Sequence, residues 1–176
     1  MSLACPTLKT DSLLLRQIVD HDLFNIFEGL SNLLITEYYA VSFDSLSATK
    51  EQMQWFKNLE ETGTGIWWAI TSMVNQTFYG AIGFNNLSQT HQKAEIGFWL
   101  LPEYWGKGIM KDAIELVCSY AFTKLNLHRI EALVESENKN SKIILLKSDF
   151  DYEGTMVDCE IKNGKFISLE SYAKLY

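Results

Sequence analysis

The chain is poor in the residues that punctuate, staple or anchor a polypeptide. With two prolines in 176 residues and no run rich in serine and glycine, it offers no place for an internal linker, and one domain over residues 1–176 is expected. The three cysteines, at positions 5, 118 and 159, are odd in number, far apart and without a CxxC pair. That pattern argues against a disulfide framework or a zinc site and for reduced thiols. Cys118 falls in an amphipathic helical pattern and reads as core rather than as a nucleophile. Histidine is equally scarce: His21, His91 and His128 stand apart, so no metal site is expected. No apolar run approaches the roughly 20 residues of a membrane span. Pro6, Lys9 and Asp11 also interrupt the stretch where a secretory signal would need an unbroken apolar core. The reading is a cytoplasmic protein with no membrane partner. Met1 to Leu3 are open to two origins, native chain or a cloning remnant.

Positive charge is short as well. Fifteen Lys and Arg against 22 Asp and Glu leave a net charge of -7, which disfavours nucleic acid and anionic membrane as partners. It suits a cationic substrate and, more simply, solubility. What the chain has is an ordinary globular composition, 47% hydrophobic and 21% charged, enough to build a substantial core.

Periodicity supplies the order of elements. Leu13 to Gln17 reads as a short strand, followed by a helix from an Asp20 N-cap through about Leu34, with Leu23, Ile26, Phe27 and Leu30 on one face. Leu33 to Phe43 has no clean period. Ser47 or Thr49 opens a second helix, ended by the Thr62-Gly63-Thr64-Gly65 break. Three strand-like runs follow from Ile66, with turns near Asn75 and from Ser88 to His91, and imply an antiparallel meander. In the third, Ala94, Ile96, Phe98 and Leu100 alternate with Glu95, Gly97 and Trp99. A helix from Ile109 and a strand from His128 to Val134 predict a parallel, right-handed crossover pair. A helix from Lys139 to Lys147, with Asn138 as N-cap, precedes two strands joined at Asn163-Gly164, a hairpin signal.

The centre of this pattern is Phe98 to Ala113, where an apolar run stops at Pro102, two glycines stand two apart at 106 and 108, and helical spacing begins at Ile109. Glycines at a strand-to-helix turn let a ligand approach the backbone, and the new helix offers unpaired N–H groups and a positive dipole end to a phosphate. Gly106-Lys107-Gly108-Ile109 lacks the spacing of a Walker A loop, and GxGxxG fails because its third glycine would be Lys111.

Pro102 to Met110 resembles the acetyl-CoA pyrophosphate loop of the GNAT acetyltransferases, closest to the RimJ/RimL-like branch. The likeness also takes in LLLR near residue 15, YGAIGF, AEIGFWL, YAFTKLNLHRIEA, the Asn138-x-x-Ser141 pair and the ending from Phe150 to Gly154. Departures are Glu103 at the first loop position, Asp112 for the usual Glu, and Asp149 where a glycine usually precedes Phe150. The implied fold is α/β (α+β), a mixed sheet of about seven strands flanked by about four helices.

The resemblance implies acetyl-CoA as cosubstrate and a primary amine as acceptor, with a protein N-terminal amine as the family-level expectation. The alternatives are a small amine (polyamine, aminoglycoside or amino acid derivative) and a non-catalytic CoA-binding module. The N–H groups of Gly106, Lys107, Gly108, Ile109 and Met110 would hold the pyrophosphate, and the backbone of Trp99, Leu100 and Leu101 would pair with pantetheine where strands four and five splay. Trp105 would pack beside the loop, as a wedge or stacked on the ligand. Glu95 is the candidate base, directly or through water, against a surface or ion-paired glutamate. A backbone N–H near Leu100 could hold the oxyanion. Asn138 would cap its helix and touch the pantetheine arm, and Ser141 would protonate the thiolate or simply fill a first turn. Lys142 and Lys147 could reach phosphates or be solvated. Acceptor contacts would come from about Phe24 to Phe43, where Tyr38, Tyr39 and Phe43 line a site or complete the core. A homodimer through the final hairpin is also implied.

Overall fold

A computed structural model describes residues 4–176; Met1 to Leu3, and the question of their origin, lie outside the described residues. The chain begins with β1 (Leu8–Lys9), β2 (Leu13–Gln17), α1 (Leu23–Ser31), α2 (Leu33–Thr36) and α3 (Leu46–Thr62). The meander follows as β3 (Ile66–Ser72), β4 (Phe78–Ser88) and β5 (Lys93–Leu100). Next come α4 (Ile109–Thr123), β6 (Arg129–Glu135), α5 (Lys139–Lys147), β7 (Asp151–Lys162) and β8 (Lys165–Leu175). The strands form one mixed sheet in the order β1-β2-β3-β4-β5-β6-β8-β7, antiparallel except between β5 and β6, which α4 connects.

Period-two alternation explains how the sheet is covered on both faces. In β3, Ile66, Trp68 and Ile70 join a core with α4 and α5, through Ala113, Ile114, Val117 and Leu145. Trp67 and Ala69 point the other way, to Ile26 and Leu30 of α1 and Met53 and Phe56 of α3. β5 divides as the sequence pattern requires, with Ala94, Ile96 and Leu100 in the first core and Trp99 in the second. α1 reaches Trp99 because Gly29 has no side chain: a Cβ there would lie 2.1 Å from Trp99 Cζ3.

Among the described residues the counts differ from the sequence reading, eight strands against about seven and five helices against about four, and each difference has a local cause. β1 is a two-residue addition, Leu8 and Lys9 pairing with Leu15 and Leu14 across a turn in which Thr10 Oγ1 accepts from the Leu13 N–H. The first helix splits at Asn32, whose backbone turns extended and whose Oδ1 caps the short α2 by accepting from the Leu34 N–H at 3.0 Å. Asn competes with the helix backbone in this way, which ends one helix and starts another.

Two caps also fall elsewhere. Asp20 begins a single 3-10 turn and pairs with Lys57, while the buried acid is Asp22, which takes both guanidinium nitrogens of Arg16 at 2.8 Å and the Val19 N–H at 2.9 Å. Ser45, not Ser47 or Thr49, caps α3, its Oγ accepting from the Ala48 N–H. Asp149 keeps the left-handed conformation (φ 62°) that a glycine would supply before Phe150, so that departure leaves the turn intact. Asn163-Gly164 adopts positive φ at both residues, as a tight hairpin requires. Among the described residues, no helix is long and apolar enough to cross a membrane.

Candidate functional site

The site begins where a parallel strand pair stops pairing. β5 and β6 are in register at Lys93↔Arg129, Ala94↔Ile130 and Glu95↔Glu131 and no further, although β5 runs on to Leu100 and β6 to Glu135. β4 holds the other edge of β5 as far as Leu100, so Ile96 to Leu100 turns an unpaired backbone edge towards the gap. Such an edge requires hydrogen-bond partners, from water or from an extended ligand. The closed end is fastened by charge: Lys93 to Glu131 at 3.0 Å, Arg129 Nε to Glu131 at 2.7 Å, and both Arg129 terminal nitrogens to Glu153.

Beyond Leu100 the chain makes one 3-10 turn at Pro102–Tyr104 and enters the glycine loop. Gly106 and Gly108 have φ of 72° and 80°, and a Cβ on either would meet no atom within 4 Å. The loop is thus an open, left-handed turn that glycine adopts without strain. Gly108 is the N-cap of α4 and has no side chain to cap it; the Asp112 N–H bonds the Gly108 carbonyl at 3.2 Å. The N–H groups before Asp112 have no helical acceptor and lie at the positive end of a 15-residue helix. This is the arrangement that binds phosphate. Trp105 donates its indole N–H to the Leu100 carbonyl at 2.8 Å, wedging the loop against β5, and the Lys107 ammonium lies 5.3 Å from the centre of the Tyr104 ring.

α5 closes the far side. Asn138 Oδ1 accepts from the Ser141 N–H at 3.1 Å, the N-cap read from the sequence. Lys142 does not reach towards a phosphate: its ammonium is held by the Ser136 carbonyl at 2.7 Å and Glu170 Oε1 at 2.9 Å, tying α5 to β8. Tyr172 Oη donates to Glu170 Oε2 at 2.6 Å, and chiefly through that bond the Glu170 carboxyl is held below the ordinary range of a glutamate.

A cavity of about 800 Å³ occupies the gap. It brings together seven of the expected residues: Trp99, Leu100, Trp105, Gly106, Met110, Asn138 and Ser141. Lys107, Gly108 and Ile109 continue the loop beside it. Leu101 is turned away, its N–H on the Tyr79 carbonyl and its side chain in the core beneath α1 and α3. Glu95 is also outside the lining. It stands at the last paired register of β5, and its carboxylate accepts from Asn86 Nδ2 at 3.0 Å. Tyr38 and Tyr39 line the cavity together with Leu34 and Ile35, whereas Phe43 packs on the α1–α3 core.

Glu37 and Glu135 were not picked out from sequence, and they are the only charged side chains in the lining among the described residues. Glu37 belongs to the stretch without a period, and Glu135 lies just past the strand read from sequence, which stops at Val134, so neither carried a signal. Among the described residues, no group of three or more Cys, His, Asp or Glu is placed to hold a metal ion.

Comparison with known proteins agrees with this geometry. The sequence profile of the acetyltransferase (GNAT) domain matches residues 12–151. The uncharacterized N-acetyltransferase YoaA of Bacillus subtilis (strain 168) is 39% identical over 160 residues, 90% of each chain. The fold matches that of RimL, a ribosomal L7/L12 alpha-N-protein acetyltransferase solved in complex with coenzyme A, with a TM-score of 0.87 at 20% identity over 97% of this chain and 98% of that one. It also matches a spermidine N-acetyltransferase from Vibrio cholerae solved with CoA and spermine, with a TM-score of 0.83 at 23% identity over 94% and 96%. The strand gap, the glycine loop and these likenesses define an acetyl-CoA-dependent N-acetyltransferase. The chain belongs to the GNAT acetyltransferase family.

Proposed function

We propose that this enzyme transfers the acetyl group of acetyl-CoA to the N-terminal amine of a protein. The observation that carries the reading is the unpaired edge of β5, which leads on one side into the glycine loop and on the other into a cavity that reaches Leu34 and Tyr38. An edge with free backbone groups suits the amides of pantetheine, and the N–H groups of Gly106 to Met110 suit a pyrophosphate. Leu34, 59% exposed at the rim, suits the apolar side chains of a peptide. A cytoplasmic location belongs to the same proposal and is supported by three free cysteines.

In the reaction a C–N bond forms at the thioester carbon, the C–S bond breaks, the amine loses a proton and the departing thiolate gains one. An α-amino group has a reference pKa near ~8 and a lysine near ~10.4, so a base is needed at neutral pH, more for lysine. We assign that role to Glu95 acting through water, because it stands at the branch of β5 and β6 and outside the cavity lining. Ser141, in the lining and fixed by the Asn138 cap, is assigned the proton for the thiolate. A second reading, a small polycationic amine as acceptor, is favoured by Glu37 in the wall, Glu135 being already paired with Lys162.

CoA release measured against a panel of peptides and small amines tests the proposal. Turnover should be highest with a peptide whose only amine is its α-amino group; preferential turnover of a small polyamine would refute that acceptor. Glu95→Gln should lower kcat/KM, and an unchanged kcat/KM across pH would remove Glu95 from the mechanism.

A further inference from the structure

The cavity has two carboxylates in its lining and no cation, yet a cation stands directly behind its wall. Lys162, the last residue of β7, directs its ammonium at the Glu37 main-chain carbonyl at 2.6 Å and at Glu135 Oε1 at 2.5 Å. The three residues come from distant parts of the chain, the loop after α2, the end of β6 and the end of the last hairpin. Glu37 and Glu135 line the cavity, whereas Lys162 does not. The contact is partly sheltered, with the lysine side chain 23% exposed and the glutamate 15%. A carbonyl and a carboxylate converging on one primary ammonium form a binding seat for that group, and both bonds are of the charge-assisted kind.

The rest of the hairpin shows why the lysine can leave. β7 is the edge of the sheet, and the residues around Lys162, from Val157 to Ile161 and Asn163 to Phe166, are exposed. A side chain swung from the seat would pass into solvent rather than into a packed core. The vacated seat would then face the cavity with an unpaired carboxylate.

We propose that the Glu37 carbonyl and Glu135 carboxylate form an ammonium seat on the acceptor side of the cavity, and that Lys162 fills it from outside and so governs which amines the enzyme accepts. This rests on the reading that the Glu37–Tyr39 end of the cavity takes the acceptor. Amines whose remainder is neutral bind without touching the seat. Amines carrying a second ammonium use the seat only by displacing Lys162, and that competition selects against polycations.

The test compares a linear diamine with the monoamine of equal chain length, titrated calorimetrically in the presence of CoA, so that no turnover is required. Lys162→Met keeps most of the aliphatic stem and removes the charge. It should tighten diamine binding about tenfold, the worth of one charge-assisted hydrogen bond, and change monoamine binding less than about twofold. Lys162→Arg should keep the wild-type ratio, and adding Glu135→Gln to Lys162→Met should abolish the gain. An unchanged diamine-to-monoamine ratio in Lys162→Met, or a gain that survives Glu135→Gln, overturns the proposal. Should Lys162→Met not fold, hydrogen exchange on the wild-type protein decides: diamine should speed exchange at residues 160–166 and monoamine should not, and equal effects refute the seat. Failure of the acetyl-transfer reading would appear separately, as no CoA release by the wild type with any amine.

Discussion

Gly106→Ala separates the ligand role of the glycine loop from its backbone role, because the molecule contains a matched control. Gly106 has φ 72° and Gly164, at the tip of the last hairpin, has φ 74°; a Cβ on either meets nothing within 4 Å. Alanine in the left-handed region costs about 1–2 kcal/mol, offset by about 0.4–1 kcal/mol from the stiffer unfolded chain. Both variants should therefore lose about 1 kcal/mol by urea denaturation. Their kinetics should differ. At Gly106 the strain falls on the open turn whose N–H groups are proposed to hold the pyrophosphate, at the cavity that Gly106 lines. Loss of one hydrogen bond to a charged group, about 1.5–3 kcal/mol, corresponds to a rise of about 10- to 100-fold in KM for acetyl-CoA. Gly164→Ala should leave that KM within about twofold, since it lies outside the cavity lining. Steady-state kinetics with acetyl-CoA varied at saturating acceptor measures both. Equal KM values in the two variants would refute the assignment of the loop.

Asp22→Ala should cost about 2–3 kcal/mol, because it leaves a partly buried Arg16 guanidinium without its carboxylate; a loss below about 0.5 kcal/mol in denaturant titration would count against it. Gly29→Ala sets a helix-propensity gain of about 1 kcal/mol against overpacking of about 1–3 kcal/mol on Trp99, so it should destabilise and also raise KM for acetyl-CoA through Trp99; a more stable variant would show that α1 shifts freely. Burial pushes the Cys5 and Cys118 thiols up to about 12. Thiols that ionise later in the folded state favour it fully below their unfolded value of 9.0, and that stability is lost as pH rises from there towards 12. Denaturation midpoints should therefore fall above pH 9, and iodoacetamide at pH 8 should modify the exposed Cys159 well before the other two, as peptide mapping would read.

The glycine loop and its flanks were legible in the sequence because they are built by local rules. Glycine spacing, a proline stop and a helix start are all short-range features, and Asn138 as N-cap follows from its own neighbourhood. The alternation that sends Trp99 and Leu100 to opposite cores was equally readable. The gap itself came only from the family resemblance, which implies that the two strands splay, and not from the residue pattern. That β5 and β6 part after Glu95 depends on a pairing between strands separated by a whole helix, and period-two patterns are the same for a paired and an unpaired strand. The opposite wall of the cavity was illegible for a different reason. From Leu33 to Phe43 the chain makes a four-residue helix and irregular turns, and its apolar residues answer to neighbours far along the chain rather than to a period. Glu37 and Glu135 become a pair only when α2 and the end of β6 are brought to one cavity, with Lys162 arriving from 27 residues beyond Glu135.

Two groups of ion pairs stand where the strands would otherwise close or drift. A parallel pair such as β5 and β6 gains a hydrogen bond with each further residue in register, so an open gap has to be held against that gain. At the closed end, Lys93, Glu131, Arg129 and Glu153 tie β5, β6 and β7 together at the level where pairing begins. At the open end, Lys142 and Glu170 hold α5 against β8, and Lys162 and Glu135 hold the hairpin against β6. Partly exposed pairs of this kind contribute modestly to stability one by one, and their value lies in geometry. One group fixes where the strands meet and the other fixes what stands across from β5 once they have parted. The width of the gap thus follows from side chains at its two ends, which leaves the backbone edge from Ile96 to Trp99 open to an extended ligand while Trp105 holds the Leu100 carbonyl.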